Sequence, residues 1–408
     1  MAYDLVVYGR IPQGYTTVKG CVAVKDGKII KLGRSLTGDR VMDMGGMLVL
    51  PAAVDMHVHM REPGFAHKED FGSGTMSAAF GGVTCVADMP NTNPLTKSKE
   101  GLEEKLDAMK KANVDCAAYG LLSPDSDLRA LAKGTLGLKL YMYEHPPETW
   151  PELLAMAGER FLSVHAEHPA YLDNIKVTTL EEHLRARPHE AEVEAVRALA
   201  ESGRGVHVAH VSTVDSWLLL ANTKCTCEAT PHHLYLTCRS RLGPLGKMNP
   251  PLRTRHDRDS LWDALRVGEI DVVASDHAPH TLEEKREFST APSGVPGVET
   301  IFPLMLKAVR DGELEMRRCL EACCERPAQL LGLKKGKLAE GYDADIIAID
   351  LKASRKVRGD ELHSKCGWTP FEGFELPFPK LVMLRGTPII ADGELAEERK
   401  GKIILPIA

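Results

Sequence analysis

The sequence predicts an α/β fold: a (β/α)₈ barrel of the TIM type with a smaller, discontinuous β-sandwich built from both termini. Eight short apolar runs, bounded by Gly, Pro or polar residues, have the length of buried strands. Segments with helical periodicity separate most of these runs. Both ends of the chain instead alternate apolar and polar residues around turn signals, a pattern typical of antiparallel hairpins.

The two ends of the chain have matching hairpin patterns. Near the N-terminus they are "DLVVYGRI" and "CVAVKDGKIIKLG", which contains the turn signal Asp26-Gly27. Near the C-terminus they are "DADIIAIDL", "LVMLRGTPIIADGEL", which contains Asp392-Gly393, and "GKIILP". The N-terminal strands alone would form a thin sheet. We therefore expect residues 1–50 to pair with residues 339–408 in one sandwich.

Residues 51–338 are predicted to form the barrel. A barrel of about 250 residues plus a smaller unit fits the length of the chain. Helical candidates between the runs include "EDFGSGTMSAAFGG", "SKEGLEEKLDAMKKAN" and "HEAEVEAVRALAESG". The predicted strands, in order, are "MLVLPAAVDMHVH", "VTCVADM", "CAAYGLL", "LGLKLYM", "FLSVHA", "GVHVAH", "CTCEAT" and "IDVVASD".

Charge and composition exclude several classes of function. The formal net charge of −6, from 51 basic and 57 acidic residues, provides no basic field for nucleic acid. No apolar run has the length of a signal peptide or of a membrane span, so we expect a cytoplasmic protein without a membrane partner. The 10 cysteines lack paired CxxC spacing, which argues against structural zinc and disulfides.

Metal-capable side chains fall where the predicted strands end. His57 and His59, two residues apart, share one side of the first strand and face either a packed core or a metal. Each histidine alone is explained by a hydrogen-bonded core position. Together, several such groups facing one cavity without a metal would be costly to desolvate. Because barrel chemistry sits at the C-terminal strand ends, the sequence predicts a metal centre there. Its members are His57, His59, Lys139, His165, His210 and Asp276.

The other histidines are expected to have no role in the site. His207 is out of phase with His210 and should point to the helix layer. The remaining ones lie in helical or loop segments and are predicted to be surface residues: His67, His145, His183, His189, His256 and His363.

Lys139 is the unusual member because an ammonium in an apolar strand beside other cations is unfavourable. Its pKa of about 10.4 would be lowered there. A neutral amine can take up carbon dioxide, and the resulting carbamate has two oxygens that can bridge two divalent metals. The alternative is a lysine paired with a carboxylate.

Ten motifs, taken together and in this order, resemble the cyclic amidohydrolases of the amidohydrolase superfamily, and most closely its dihydroorotase family. The resemblance covers nearly the whole chain. The motifs are "DMHVHMREPG", "GGVTCVADMPNTNP", "GLKLYM", "VHAE", "VHVAHVST", "CEATPHHL", "KMNPPLR", "ASDHAPH", "APSGVPGVET" and "GWTPFEG".

The resemblance implies two Zn²⁺ ions bridged by hydroxide and a carbamylated (N6-carboxy) Lys139. One ion would be held by His57, His59, Lys139 and Asp276, and the other by Lys139, His165 and His210. Asp276 would also be the catalytic residue, which accepts the proton of the attacking oxygen and gives it to the departing nitrogen. The implied reaction is the reversible cyclisation of N-carbamoyl-L-aspartate to L-dihydroorotate in de novo pyrimidine biosynthesis.

Four residues are implied to bind the substrate. Arg61 would receive the substrate carboxylate through two parallel bonds. Asn91 and His280 would complete that carboxylate site, and Asn249 would read the amide edge of the ring. Taken singly, each asparagine could equally be a turn residue. The segment after Lys139, "LYMYEHPPETW", has Thr149 as its only hydroxyl apart from tyrosines, so no lid contact is assigned.

Three other functions are weighed against this one. A hydantoinase (dihydropyrimidinase) or an allantoinase would use the same metal chemistry on an uncharged ring, and Arg61 argues against both, since allantoinases typically have Asn at the similar position. A non-catalytic scaffold would be expected to lose metal ligands, and all of them are present. The expected partner is a small-molecule substrate; a homodimer and an association with another pyrimidine-pathway enzyme are both left open.

Overall fold

The computed structural model describes residues 3–14, 16–173, 175–395 and 401–406. Its strands form two large sheets and one small sheet. In chain order the strands are β1 (Tyr3–Gln13), β2 (Thr16–Lys25), β3 (Lys28–Gly33), β4 (Gly38–Pro51), β5 (Ala53–Val58), β6 (Val83–Asp88), β7 (Asp115–Leu121), β8 (Gly137–Tyr141), β9 (Leu162–His165), β10 (His207–Val208), β11 (Thr226–Ala229), β12 (Val272–Val273), β13 (Ile346–Ile349), β14 (Ser354–Lys356), β15 (Glu375–Pro377), β16 (Leu381–Leu384), β17 (Thr387–Ala391) and β18 (Glu394–Leu395).

The α-helices lie mostly between the strands of the second large sheet. Residues Glu321–Glu325 form a π-helical turn between the last two of them. The helices are α1 (Phe71–Phe80), α2 (Lys99–Ala108), α3 (Leu128–Leu131), α4 (Trp150–Met156), α5 (Leu180–Ala186), α6 (His189–Glu201), α7 (Val214–Leu220), α8 (Pro231–Tyr235), α9 (Arg255–Val267), α10 (Ile301–Arg310), α11 (Met316–Leu320) and α12 (Arg326–Leu330).

The eight strands β5 to β12 form a parallel sheet hydrogen-bonded in chain order. A parallel bridge between Val58 and His277 joins its two edges, so the sheet nearly closes into a barrel. Strands β5 to β8 are buried along their whole length, because helices cover the outside of a barrel and side chains fill its inside. The predicted barrel is confirmed.

The loops that leave the strand ends lead into capped helices, which fixes where each loop stops. The Asp70 side chain accepts a hydrogen bond from the Ser73 backbone at the start of α1. Helix α9 begins with a capping box between Thr254 and Asp257, and ends at Gly268, whose φ of 93° suits a residue without a Cβ. The segments between strand ends and such caps carry the functional side chains.

The terminal segments form the other large sheet, in the order β18-β17-β16-β13-β4-β1-β2-β3. β1 and β4 are parallel and all other neighbours are antiparallel. The N-terminal and C-terminal parts of the chain meet where β4 pairs with β13, with Leu50 opposite Ile347. The division of the chain into residues 1–50, 51–338 and 339–408 stays a prediction.

Two strand predictions were wrong in detail. The apolar run 47–59 is not one strand, because β4 pairs with β13 up to Pro51 and β5 pairs with β6 from Ala53. The segment "GKIILP" does not join the terminal sheet; Ile403 instead makes a parallel bridge to Cys116 in the barrel. Strand β8 pairs with β7 only from Tyr119 onwards, and the tail bonds the earlier Cys116 backbone at 2.9 and 2.7 Å.

Candidate active site

The residues predicted to hold metal lie at one end of the barrel. His57 belongs to β5 and His59 follows it, Lys139 lies in β8, and His165 ends β9. His210 and Asp276 come shortly after β10 and β12, with left-handed φ angles of 38° and 46°. Such backbone conformations are uncommon outside glycine and cluster at functional sites. All six side chains are buried.

His57, His59 and Asp276 form the tightest cluster. Their nitrogen and oxygen atoms lie within 4.8 Å of one another. The Asp276 Oδ1 atom is 3.3 Å from His57 Nε2 and 3.1 Å from His59 Nε2. The geometry therefore presents two imidazole nitrogens and one carboxylate oxygen to a common point, which is a donor set that suits zinc.

The second nitrogen of each imidazole is held by the protein. His57 Nδ1 is bonded to Glu228 Oε1, and His59 Nδ1 is 2.7 Å from Asn91 Oδ1. Because carboxylate and amide oxygens only accept, each Nδ1 carries a proton, and each Nε2 is the nitrogen that faces Asp276. Carboxylate or carbonyl partners of this kind orient histidines that bind metal.

His165 and His210 face each other beside this cluster, with ring centroids 4.4 Å apart. His165 Nε2 is 2.6 Å from Glu167, whose carboxylate also accepts from Arg187. The Nδ1 atom of His210 is buried and has no hydrogen-bond partner among the described residues. A buried polar atom without a partner is costly, and a bound ion would satisfy it.

Lys139 lies fully buried among these groups. Its Nζ atom is 3.3 Å from Ser163 Oγ and 5.5 Å from the centre of the Tyr141 ring. Within the described part of the chain no carboxylate forms an ion pair with it, which leaves the alternative of a simple Lys–carboxylate pair without support. Burial lowers the pKa of Lys139 to about 8, although Glu228 and Asp276 oppose the shift.

The protonation states of the cluster are those of metal ligands. Burial lowers the pKa of His59 to about 4 and that of His210 well below its usual value. Burial alone would raise the pKa of Asp276, but His57, His59 and His210 hold it well below its ordinary range. At neutral pH His59 and His210 are therefore neutral and the carboxylate is ionised, as coordination requires.

Contacts link the four predicted substrate-binding residues to one another and to the cluster: Asn91 to His59, Arg61 to His280, and His280 through Ser293 to Asn249. Arg61, with a φ of 61°, donates from Nε to Pro279 O at 3.0 Å and has Nη2 3.0 Å from His280 Nε2. Asn249 Oδ1 accepts from Ser293 at 3.1 Å and from His183 at 3.0 Å. Asn249 and Asn91 thus use their amide oxygens within the protein and direct their amide nitrogens elsewhere.

Several residues that hold the site were not predicted. Glu228 is bonded to His57, to His207 Nε2 at 3.0 Å and to the His210 backbone at 3.2 Å. Glu228 could have been identified because it is an ionisable residue inside the apolar strand "CTCEAT". The same signal identified Lys139. Glu167, two residues after His165, was another such signal. Ser293, which donates to Asn249 Oδ1, carried no such signal because it lies in a loop.

Two predictions about histidines were wrong. His207 does not point to the helix layer; it points into the barrel and bonds Glu228, since β10 has only two residues and the chain turns sharply at His210. His183 is not a surface residue. It is buried and donates from Nε2 to Met248 O and Asn249 Oδ1, because α5 packs against the loop that carries Asn249.

The chain belongs to the amidohydrolase family, whose profile matches residues 48–389. Named dihydroorotases are among its relatives. That of Halobacterium salinarum is 39% identical over 402 residues, covering 92% of this chain and 94% of the relative. Those of Methanosarcina mazei and Archaeoglobus fulgidus are 37% and 36% identical, each covering 94% of this chain and 93% and 96% of the relative. The resemblance seen in the motifs is confirmed.

Similar solved structures include hydantoinases. An L-hydantoinase (dihydropyrimidinase) from Arthrobacter aurescens has a TM-score of 0.92 at 29% identity, covering 99% of this chain and 100% of that one. A D-hydantoinase from Thermus sp. has a TM-score of 0.89 at 25% identity, covering 97% of each chain. The family and the His57, His59 and Asp276 cluster together imply a metal cofactor. Among the described residues, no helix is long and apolar enough to cross a membrane.

Proposed function

We propose that this chain is a dihydroorotase, which catalyses the reversible cyclisation of N-carbamoyl-L-aspartate to L-dihydroorotate in de novo pyrimidine biosynthesis. The observation that carries the proposal is the contact of the Arg61 guanidinium with His280, close enough to Asp276 for the charges of Arg61 and Asp276 to interact. Dihydroorotate has a carboxylate that hydantoins and allantoin lack, and a guanidinium suits it. The archaeal relatives support this choice over the hydantoinase alternative, to which the solved structures are similar at the level of the family.

We infer that the six buried residues hold two Zn²⁺ ions. His57, His59, Lys139 and Asp276 would hold one, and Lys139, His165 and His210 the other, with hydroxide and a carbamylated Lys139 as bridging ligands. Three observations support the fit: the convergent Nε2 atoms, the unpartnered His210 Nδ1, and a buried Lys139 without a carboxylate partner among the described residues. Such a pair supplies a water of pKa about 7 and polarises a carbonyl group.

Asp276 performs the proton transfers. Its carboxylate is ionised and lies at the centre of the cluster, so it accepts a proton as oxygen attacks the ring amide carbon and donates that proton to the departing nitrogen. In the biosynthetic direction it takes the proton from the attacking carbamoyl nitrogen and delivers it to the departing oxygen. His57 and His59 keep the Asp276 Oδ1 atom in place.

Arg61, His280, Asn91 and Asn249 orient the substrate. Arg61 and His280 present N–H groups to one carboxylate, and Asn91 keeps its amide nitrogen for the substrate because its oxygen is taken by His59. Asn249 presents its amide nitrogen to a carbonyl of the ring, since Ser293 and His183 occupy its oxygen. Arrays of fixed donors recognise carboxylates and amides without reorganisation on binding.

The test is turnover by purified, zinc-replete protein of four substrates side by side: dihydroorotate, carbamoyl-aspartate, hydantoin and allantoin. We expect activity on the first two alone. Activity on hydantoin or allantoin, which are uncharged rings, would be compatible with the proposed metal chemistry but would contradict the role given to Arg61. Bound zinc with no activity on any of the four would point to a missing partner or to a scaffold, and would contradict the proposal that this chain is active by itself.

We also propose a cytoplasmic location and a small-molecule substrate as the partner. All 10 cysteines are free thiols in the structure, which suits a reducing compartment. The homodimer and the association with another pyrimidine-pathway enzyme stay predictions.

A further inference from the structure

Lys68 lies behind the predicted carboxylate site, on the side of His280 away from Arg61. Its side chain is only 14% exposed. The Lys68 Nζ atom is 3.2 Å from His280 Nδ1 and 2.8 Å from Glu284 Oε1. On the opposite edge of the same imidazole, Nε2 is 3.0 Å from Arg61 Nη2 and 3.1 Å from Ser293 O.

The partners of His280 determine where its proton lies. An ammonium group can only donate, so His280 Nδ1 accepts from Lys68 and carries no proton. Burial, followed by the charges of Arg61 and Lys68, lowers the pKa of His280 to about 2, so the ring is neutral. The single N–H of the imidazole is then on Nε2, where Ser293 O accepts it.

This tautomer leaves two donors facing each other. Arg61 Nη2 and His280 Nε2 are 3.0 Å apart, and because both carry hydrogens they cannot bond one another. An oxygen with negative charge placed beside them could accept from Arg61 Nη2 and share the Nε2–H of His280 with Ser293 O. With the opposite tautomer, Nε2 would accept from Arg61 and this paired donor set would be lost.

The charges around the pocket favour an anion as well. Arg61 and Lys68 lie on either side of His280. Together with the buried Lys285, they disfavour a positive charge on the His280 ring. Glu284 is the carboxylate that pairs with Lys68, and it lies 3.8 Å from His280 Nδ1. Glu284 balances one of these charges and Asp276 and Asp88 also act on Arg61, so Lys68 adds positive charge to a place that nearby carboxylates partly neutralise.

We propose that Lys68 is a positioning residue that determines specificity: it holds His280 in the Nε2–H tautomer and adds a second positive charge to the carboxylate pocket. The inference rests on the proposed function, because it assigns Lys68 to recognition of the same substrate acid. Unlike a purely structural role, this role of Lys68 predicts a change in substrate affinity with little change in turnover.

The first experiment compares three variants of the full-length, zinc-replete protein. In Lys68→Met we expect KM for dihydroorotate and carbamoyl-aspartate to rise about tenfold, with kcat within about threefold of wild type and zinc content unchanged. Lys68→Arg should restore most of the affinity because it keeps the charge and the donor. Lys110→Met is the matched control, since that lysine side chain is 71% exposed and forms its ion pair with the exposed Asp107 of α2.

The second experiment reads the tautomer of His280 directly, by NMR of protein labelled with ¹⁵N-histidine and assigned with a His280→Gln variant. We expect a protonated Nε2 and an unprotonated Nδ1 in the wild type, and a mixture of tautomers in Lys68→Met. An unchanged KM in Lys68→Met, or a proton on Nδ1 in the wild type, would overturn the inference while leaving the proposed function intact. If the wild type turns over neither substrate, the proposed function fails first, and an Nε2–H tautomer that persists in Lys68→Met overturns the inference independently.

Discussion

Arg61, His210 and Asp276 adopt left-handed backbone conformations that cost non-glycine residues about 1–3 kcal/mol each. Each lies just beyond a barrel strand, where the chain must turn away from the sheet. Contacts hold two of these side chains: Arg61 Nε donates to Pro279 O, and Asp276 Oδ1 lies 3.3 and 3.1 Å from the Nε2 atoms of His57 and His59. Backbone strain at these residues therefore aims the functional groups into the cavity.

Arg61→Gln should weaken substrate binding and leave the metal centre intact. A glutamine lacks the charge and the paired donors of a guanidinium, and hydrogen bonds to charged groups contribute about 1.5–3 kcal/mol. We expect KM for dihydroorotate to rise by about 10- to 100-fold, with zinc content near wild type. Steady-state kinetics and metal analysis on one preparation measure both. Loss of zinc together with activity would contradict this division of roles.

Asp276→Ala should abolish turnover in both directions. The variant removes the proton acceptor, and general acid–base catalysis alone contributes about 10²- to 10⁴-fold. Single-turnover assays with dihydroorotate and with carbamoyl-aspartate would measure the loss. Asp263→Ala is the control, because that carboxylate is exposed on α9 and pairs with Arg266. A rate near wild type in Asp276→Ala would remove Asp276 from the mechanism.

The sequence predicted the residues that lie on the cavity better than the residues that orient them. His57, His59 and Asp276 could be found because two-residue periodicity and strand ends are visible in the sequence. His207 was misplaced because the same periodicity fails where β10 stops after two residues. The contact of Ser293 with Asn249 joins loops 44 residues apart, and no local pattern encodes such a pairing.

At the scale of elements, a buried ionic cluster joins the start of β7 to the segment that leads into β13. Lys335 Nζ lies 2.7 Å from Asp115, 2.9 Å from Asp343 and 2.7 Å from Asp345. Burial opposes its charge, but the carboxylates raise the pKa of Lys335 above its usual value. The three aspartates could hold a metal by spacing alone, yet the ammonium already occupies the point between them.

Lys335→Met should therefore destabilise the protein strongly. Removing one partner from a buried ionic cluster typically costs about 3–5 kcal/mol, because the remaining charges are left uncompensated. Urea unfolding at pH 7 would measure the change in the free energy of unfolding. The double variant Lys335→Met/Asp345→Asn should recover part of the loss. A cost below about 1 kcal/mol would show that water replaces the ammonium without penalty.

The strands could be predicted from the sequence wherever the hydrophobic pattern of a segment agrees with the pairing of its backbone. All eight barrel runs contain a strand, because residues buried on both faces read as continuous apolar segments. The run 47–59 concealed a boundary, since the end of β4 and the whole of β5 lie in one apolar stretch and only Ala52 separates the two strands. "GKIILP" reads as a hairpin strand by composition, but the unpaired backbone of β7 decides its place.

At the scale of the whole molecule, folding buries many histidines as neutral rings. Outside the proposed ligand set, burial lowers the pKa of His183 and of His233 to about 4 and that of His280 to about 2. In the unfolded chain each would titrate near 6.5. Below pH 6.5 the unfolded chain therefore binds protons that the folded protein excludes, and acid favours unfolding.

The free energy of unfolding should fall as the pH is lowered from 6.5 toward 4. Each of these three histidines contributes a slope of up to about 1.4 kcal/mol per pH unit, or about 2 kcal/mol between pH 6.5 and pH 5. Urea unfolding of the zinc-replete protein at intervals between pH 7 and pH 5 would measure the slope. Loss of metal in acid would make this slope steeper. The variant His183→Gln separates the two effects, because it removes one titrating ring that is not a proposed metal ligand. We expect a shallower slope in that variant, by about one histidine's contribution, whereas an identical slope would show that His183 is not held neutral by burial in the folded protein.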